Sequence, residues 1–246
     1  SRLHGEGYDF AELREYQVGD DIRKINWTIT AKLGRPYIKE LHANRELSVV
    51  VAALMDGALY FDKDAAKQRT MTEVATLLGY AAQHSNDLFT GVGYTPKETF
   101  GTPPTKQLFE IERFTQRIFE ANLLDTSLPP QPAADDLFRR IHKPSLLFVL
   151  HDFLSPIDLS LLSQRHEVIA IVIRHREEES PQKRGEVTLH DPRSGKRFDT
   201  YLGSRSVKRY LTKREEHDER MLAHFSRHDI RYVKIYTDEE PVEKLL

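Results

Sequence analysis

The chain has 246 residues, 39% of them hydrophobic and 30% charged, with a formal net charge of −2. A chain of this length buries a substantial core, and the composition is ordinary for a globular protein. The near-zero charge gives no electrostatic case for nucleic acid or an anionic membrane as a bulk partner. The absence of cysteine excludes disulfides and thiolate metal sites, and no apolar run approaches the roughly 18 residues of a membrane span.

No secretory leader is recognisable, so a cytoplasmic location is expected. The sequence opens at Ser1 without a Met and reads as a trimmed piece, with a membrane segment upstream of Ser1 left open.

Residues 1–48 form an N-terminal charged and aromatic extension, expected to pack on the core. Balanced charge is interleaved with Tyr8, Phe10, Leu13, Tyr16, Val18, Ile22, Ile25, Trp27 and Ile29. Irregular structure and short strands are expected, with a helical turn over 22–27. Gly34-Arg35-Pro36 is a turn, because glycine permits positive φ and proline fixes the next φ. A strand over 37–41 follows.

Residues 47–55 are a continuous apolar run ending at Asp56. Their length and β-branched content predict a strand buried on both faces, as in a parallel sheet. Residues 64–84 carry Ala66, Met71, Val74, Ala75, Leu78 and Ala81 at helical spacing, which predicts a helix. A strand over 88–94, an edge strand over 97–100 and a helix over 105–121 come next. Leu128-Pro129-Pro130-Gln131-Pro132 reads as a breaker. A short helix over 133–141 is expected, with Asp135 and Asp136 in its first turn. A third buried strand covers 145–150 and runs into His151-Asp152-Phe153. A helical turn at 158–163 and a strand at 167–173 complete the alternation.

Alternating strands and helices predict an α/β, doubly wound, mainly parallel sheet with helices on both faces. A hairpin elaboration follows at about 185–201, turning at Asp191-Pro192-Arg193-Ser194-Gly195. A polar helix over 204–228 and a last strand over 230–235 close the chain.

These residues carry a resemblance. Gly5 through Phe10, Leu13 to Tyr16, Gly19-Asp20-Asp21, Arg23, Ile25, Trp27, Thr30-Ala31-Lys32 and Arg45-Glu46 form its most specific stretch. The strands ending in Asp56 and in Asp152-Phe153 add to it, as do residues 165–170, Glu177, Pro181, Gly185, Asp191 and Gly195. The chain resembles bacterial domain-of-unknown-function family 58. The resemblance implies a von Willebrand factor A-like core and a role beside MoxR-type AAA+ ATPases in assembling or activating other proteins. It also implies a non-enzymatic interaction module.

Asp56 and Asp152 both follow apolar strands, so both belong at the carboxyl ends of the sheet, where open α/β sheets bind ligands. Von Willebrand A domains hold Mg²⁺ there with Asp-x-Ser-x-Ser, a Thr and a further Asp. Here Asp56-Gly57-Ala58-Leu59-Tyr60 lacks both serines, and Ala133-Ala134-Asp135-Asp136 lacks the Thr. A vestigial site without metal or other cofactor is expected, the carboxylates simply capping the following turns. The alternatives are a Mg²⁺ site rebuilt with Asp135 or Asp136, and a divalent-metal-dependent hydrolase or adhesion module using Asp56, Asp135, Asp136 and Asp152.

Arg14, Glu15, Asp20, Asp21 and Arg23 read as an ion-pair network clamping the extension, with Trp27 buried. Alternatively, with Trp27, they form a docking surface for a protein partner. His224 and His228, four apart, read as a solvated helix end. The basic run Arg205, Lys208, Arg209, Lys213, Arg214 is offset by Glu215, Glu216, Asp218 and Glu219 and reads as a solvated helix face rather than a nucleic-acid patch.

Overall fold

A computed structural model describes residues 9–42, 46–61 and 64–245. The chain divides into two compact units, Ser1–Glu46 and Leu47–Leu246. Residues 5–8 and Arg45, which carry part of the resemblance, lie outside the described residues.

In the first unit β1 (Asp9–Glu15) pairs antiparallel with β2 (Tyr37–His42). Between them runs α1 (Trp27–Leu33), whose first turn is capped by Asn26 accepting from Ile29 N and whose end is closed by Gly34 at φ 69°. Asparagine and glycine are the residues these two positions favour. Arg14 and Asp20 form a two-pronged ion pair at 2.7 and 2.8 Å. That hydrogen bond, with one from Gln17 N, holds the Asp20 carboxyl down at about 2. Arg23 pairs with Asp21, and Arg35 with Glu15. These are separate ion pairs made within the first unit, and Trp27 is not buried: it is 68% exposed, with Ile22 at 64% and Leu33 at 58%.

The second unit is built on a six-stranded sheet. Its strands are β3 (Ser48–Leu54), β4 (Leu88–Tyr94), β5 (Thr99–Gly101), β6 (Leu146–His151), β7 (Glu167–Arg174) and β10 (Arg231–Tyr236), in the order β10-β7-β6-β3-β4-β5. All pairs are parallel except β4–β5. The α/β class is as the sequence indicates.

Alternation along β3 sends Val49, Val51 and Ala53 to one face and Val50, Ala52 and Leu54 to the other. The first face packs on α2 (Ala66–His84) through Met71, Val74 and Ala75, and on α3 (Leu108–Glu120) through Ile111, Phe114 and Ile118. The second packs on α4 (Pro130–Arg140), α5 (Ser160–Ser163) and α7 (Ser204–Arg227) through Ala134, Leu137, Leu162 and Phe225. A strand covered on both sides has no polar face to show, which is why it reads as an unbroken apolar run.

Two short helices, α6 (Arg176–Glu179) and α8 (Pro241–Leu245), and the two-stranded hairpin β8 (Gly185–His190) and β9 (Arg197–Leu202) complete the unit. One sequence boundary needs correction. The proline cluster does not break the chain before α4. Pro130 opens the helix, a position where its missing N–H is no loss and its φ is already helical. Asp135 and Asp136 therefore sit past the first turn.

Candidate functional site

The strand order reverses between β3 and β6, so the crevice beyond their carboxyl ends is the place where such a sheet offers a ligand site. Asp56 and Asp152 stand there, 4% and 1% exposed. Asp56 caps a 3-10 turn over Gly57–Tyr60, its Oδ1 accepting from Ala58 N at 2.9 Å and its Oδ2 from Leu128 N at 3.2 Å. Asp152 Oδ1 accepts from Leu154 N at 3.0 Å. Both carboxylates thus cap local backbone, as the capping expectation has it.

Each also has a cation. Lys67, in the first turn of α2 and wholly buried, reaches Asp152 Oδ2 at 3.2 Å and Glu178 Oε1 at 2.7 Å. Glu178 Oε2 in turn accepts from His175 N at 2.8 Å and closes the first turn of α6. Arg193, from the hairpin turn, places Nε 2.9 Å from Asp56 Oδ2 and Nη2 3.7 Å from Asp152 Oδ2, and donates from Nη1 to Ser155 Oγ at 3.0 Å. The two carboxylate contacts are close ion pairs rather than aligned hydrogen bonds. Burial pushes the Asp152 carboxyl up, but the charges of Lys67 and Arg193 and the Leu154 N–H outweigh it and hold it well below the usual carboxylate range.

The backbone around the crevice is fixed from several sides. Phe153 lies at φ 50°, a left-handed conformation that strains a bulky residue by about 1–3 kcal/mol. Its N–H donates to His151 Nδ1, while its carbonyl accepts from Arg174 Nη2 at 3.2 Å and from His217 Nε2 at 2.8 Å. Arg174 is wholly buried at the end of β7 and also bonds the Asp152 carbonyl and Asp218. Burial holds the His151 imidazole below its ordinary value despite the nearby Asp152 and Asp56, in keeping with Nδ1 acting as an acceptor.

The hairpin turn is built to sit on these strand ends. Asp191 Oδ1 accepts from Arg193 N and Oδ2 from Ser194 Oγ, and Gly195 takes φ 69°. Pro192 O accepts from Asp125 N at 2.8 Å. Gly57 lies beneath it so closely that a Cβ would stand 1.8 Å from Pro192 O.

Von Willebrand A domains hold Mg²⁺ at this place in the sheet, and the donor set here does not fit it. A hard divalent cation takes six or more oxygen ligands. Here Ala58 and Tyr60 stand where the two serines would be and supply no short hydroxyl, and an ammonium and a guanidinium already neutralise the carboxylates. Asp136 is turned to the Tyr94 hydroxyl at 2.8 Å and to Arg140, and Asp135 accepts from Gln131. Neither joins Asp56 and Asp152. No group of three or more metal-ligating side chains occurs among the described residues.

Beyond the Phe153 loop lies a cavity of about 390 Å³ lined by Phe153, Pro156, Ile157, Met221 and polar side chains. Those polar groups are committed. His217 bonds Phe153 O, His224 Nε2 accepts from Leu159 N, and Gln131 bonds Asp158 N. His224 is therefore a packed residue and not a solvated helix end. Arg214 likewise departs from the solvated face, pairing with Asp218 and Glu179 at 16% side-chain exposure.

Lys67, Arg174, Glu178 and Arg193 were not singled out by sequence. Lys67 had a usable signal: it lies four and seven residues before Met71 and Val74, on the stripe that α2 buries, where an unpaired lysine is rare.

The profile of the family described as "Protein of unknown function DUF58" matches residues 12–221. The chain is 28% identical over 209 residues to "Uncharacterized protein Mb1516" of Mycobacterium bovis and to "Uncharacterized protein Rv1480" of Mycobacterium tuberculosis, covering 78% of this chain and 63% of each relative. It thus spans less than two thirds of those relatives' length. Among solved structures, conserved hypothetical protein BatB from Bacteroides thetaiotaomicron superposes with a TM-score of 0.46 at 12% identity, over 81% of this chain and 94% of that one. An aerotolerance-related membrane protein from Bacteroides fragilis gives 0.45 at 11% identity, over 77% and 91%. No helix among the described residues is long and apolar enough to cross a membrane.

Proposed function

The chain belongs to the DUF58 family of proteins of unknown function, and from that premise we propose that it is a non-enzymatic protein-interaction module with a von Willebrand factor A-like core. The observation that carries this reading is the occupation of the crevice. Where this kind of sheet receives a ligand or metal, Arg193 faces Asp56 and Lys67 faces Asp152. The site is a degenerate one in which the chain's own cations take the divalent ion's electrostatic role. No activated water or nucleophile arises from that arrangement.

The partner is a MoxR-type AAA+ ATPase on the cytoplasmic side, with which the module assembles or activates client proteins. The resemblance supports that choice. The docking edge is the first unit, which carries the ion-paired Arg14, Glu15, Asp20, Asp21 and Arg23 and the exposed Trp27.

Two measurements test this. Thermal unfolding with millimolar Mg²⁺, Mn²⁺ or Ca²⁺ is expected to leave the transition in place, since only a ligand that binds the folded state raises it. A shift that Asp152→Ala removes would instead establish a metal-dependent adhesion module or hydrolase. Capture of a MoxR-type AAA+ ATPase is expected for the native protein and lost on Trp27→Ala.

A further inference from the structure

We propose that the crevice between Asp56 and Asp152 is an arginine-recognition site, filled by Arg193 of the same chain and open to a partner's arginine when the hairpin lifts. This rests on the metal-free reading above and names what the site recognises.

The chemistry selects a guanidinium. The carboxylates lie on one side and Ser155 Oγ on another, so three acceptors surround one flat cation at 2.9, 3.7 and 3.0 Å. An ammonium is a compact point charge and cannot present a planar fork to three separated oxygens. Lys67 is closed to solvent at 0% and already shared between Asp152 and Glu178, so it is the permanent counter-ion from below. Arg193 is 25% exposed and closes the crevice from above. Its carboxylate contacts are not aligned as hydrogen bonds, so the occupant in place does not exhaust what the site offers.

The hairpin is suited to leave. β8 and β9 pair only with each other, and a two-stranded hairpin is marginal without further packing. Gly185 at φ 74° begins it and Gly203 follows it, so backbone of low rotational cost flanks both strands. Its turn is held by Pro192 O on Asp125 N, by His190 near Asp125 at 3.3 Å, and by Arg193.

The test is chemical rescue of Arg193→Ala in the whole chain. Thermal unfolding is followed with millimolar methylguanidinium chloride, and separately with methylammonium and magnesium chlorides at matched ionic strength. The variant is expected to melt below the native chain. Methylguanidinium recovers a measurable part of that loss and the other two salts do not, while Asp56→Asn in the same background abolishes the recovery. The native chain, its site filled, does not respond.

If the variant is recovered unfolded, refolding yield under the same three salts is the readout, with the same expected order. Equal response to all three cations, no response to any, or rescue by Mg²⁺ alone would overturn the proposal. No partner enters this experiment. Its failure therefore leaves the ATPase reading standing, and loss of ATPase capture leaves arginine recognition standing.

Discussion

Lys67 and Glu178, 111 residues apart in the chain, meet at 2.7 Å with side-chain exposures of 0% and 4%. The same ammonium serves Asp152. One cation from α2 thus ties the end of β6 to the short helix after β7. Removing it leaves Glu178 without its buried cation and Asp152 with only the more distant Arg193 at 3.7 Å, and breaking a buried pair of this kind typically costs about 3–5 kcal/mol. Lys67→Met is expected to lower the stability by that amount in urea denaturation. A loss within 1 kcal/mol would mean that the crevice admits enough water to screen the carboxylates.

The acid limb of stability has two parts. His151 titrates below its ordinary 6.5 because it is buried. The unfolded chain therefore takes up a proton first, and the stability His151 confers is whole above pH 6.5 and declines below it. Asp152 titrates below its ordinary 3.8. Its contribution is present above that value and is lost as pH falls further, through the folded-state value. Each net proton contributes a slope of about 1.4 kcal/mol per pH unit. Between pH 7 and 5 the decline is expected to be shallower in His151→Asn. It does not vanish there, because burial also lowers His166 and His224.

Gly57→Ala tests the seat of the hairpin. The added methyl would meet Pro192 O and, at 2.9 Å, Thr126 O, both backbone atoms. One of the two segments must move, at about 1–3 kcal/mol for such overpacking. Faster proteolysis within 185–202 is the accompanying sign that the turn has been displaced. An unchanged cleavage rate would place the accommodation in the 123–128 loop.

Trp27→Ala bears on the first unit. At 68% exposure its ring contributes little to folding, and the melting transition is expected within about 0.5 kcal/mol of native. The capture of a protein partner falls. If melting drops by several degrees instead, the ring is structural and the docking edge lies elsewhere.

The sheet was legible because its central strands are covered on both faces. Val49 through Leu54 admit no polar residue, and a run of that kind has few other readings. Helix α2 was legible from one stripe, yet Lys67 on that stripe was passed over because its partners are 85 and 111 residues away. The same blindness hid Arg193. In the sequence it is a turn residue beside a proline, and only the closed fold shows a guanidinium over Asp56. Asp56 and Asp152 were found because strand ends are a local signal. The proline cluster before α4 misled because proline ends helices and opens them equally well, and local sequence does not separate the two.

The contact of Gly57 with Pro192 has a further consequence, in the order of synthesis. Lys67 leaves the ribosome before Asp152, so that carboxylate emerges with its counter-ion already made. Asp56 has the opposite history, since Pro192 and Arg193 follow it by 136 and 137 positions. At the usual pace of translation that is roughly 7–27 s. Throughout that interval the nascent sheet carries an open acidic end, and the chain is closed only once its own hairpin has been made.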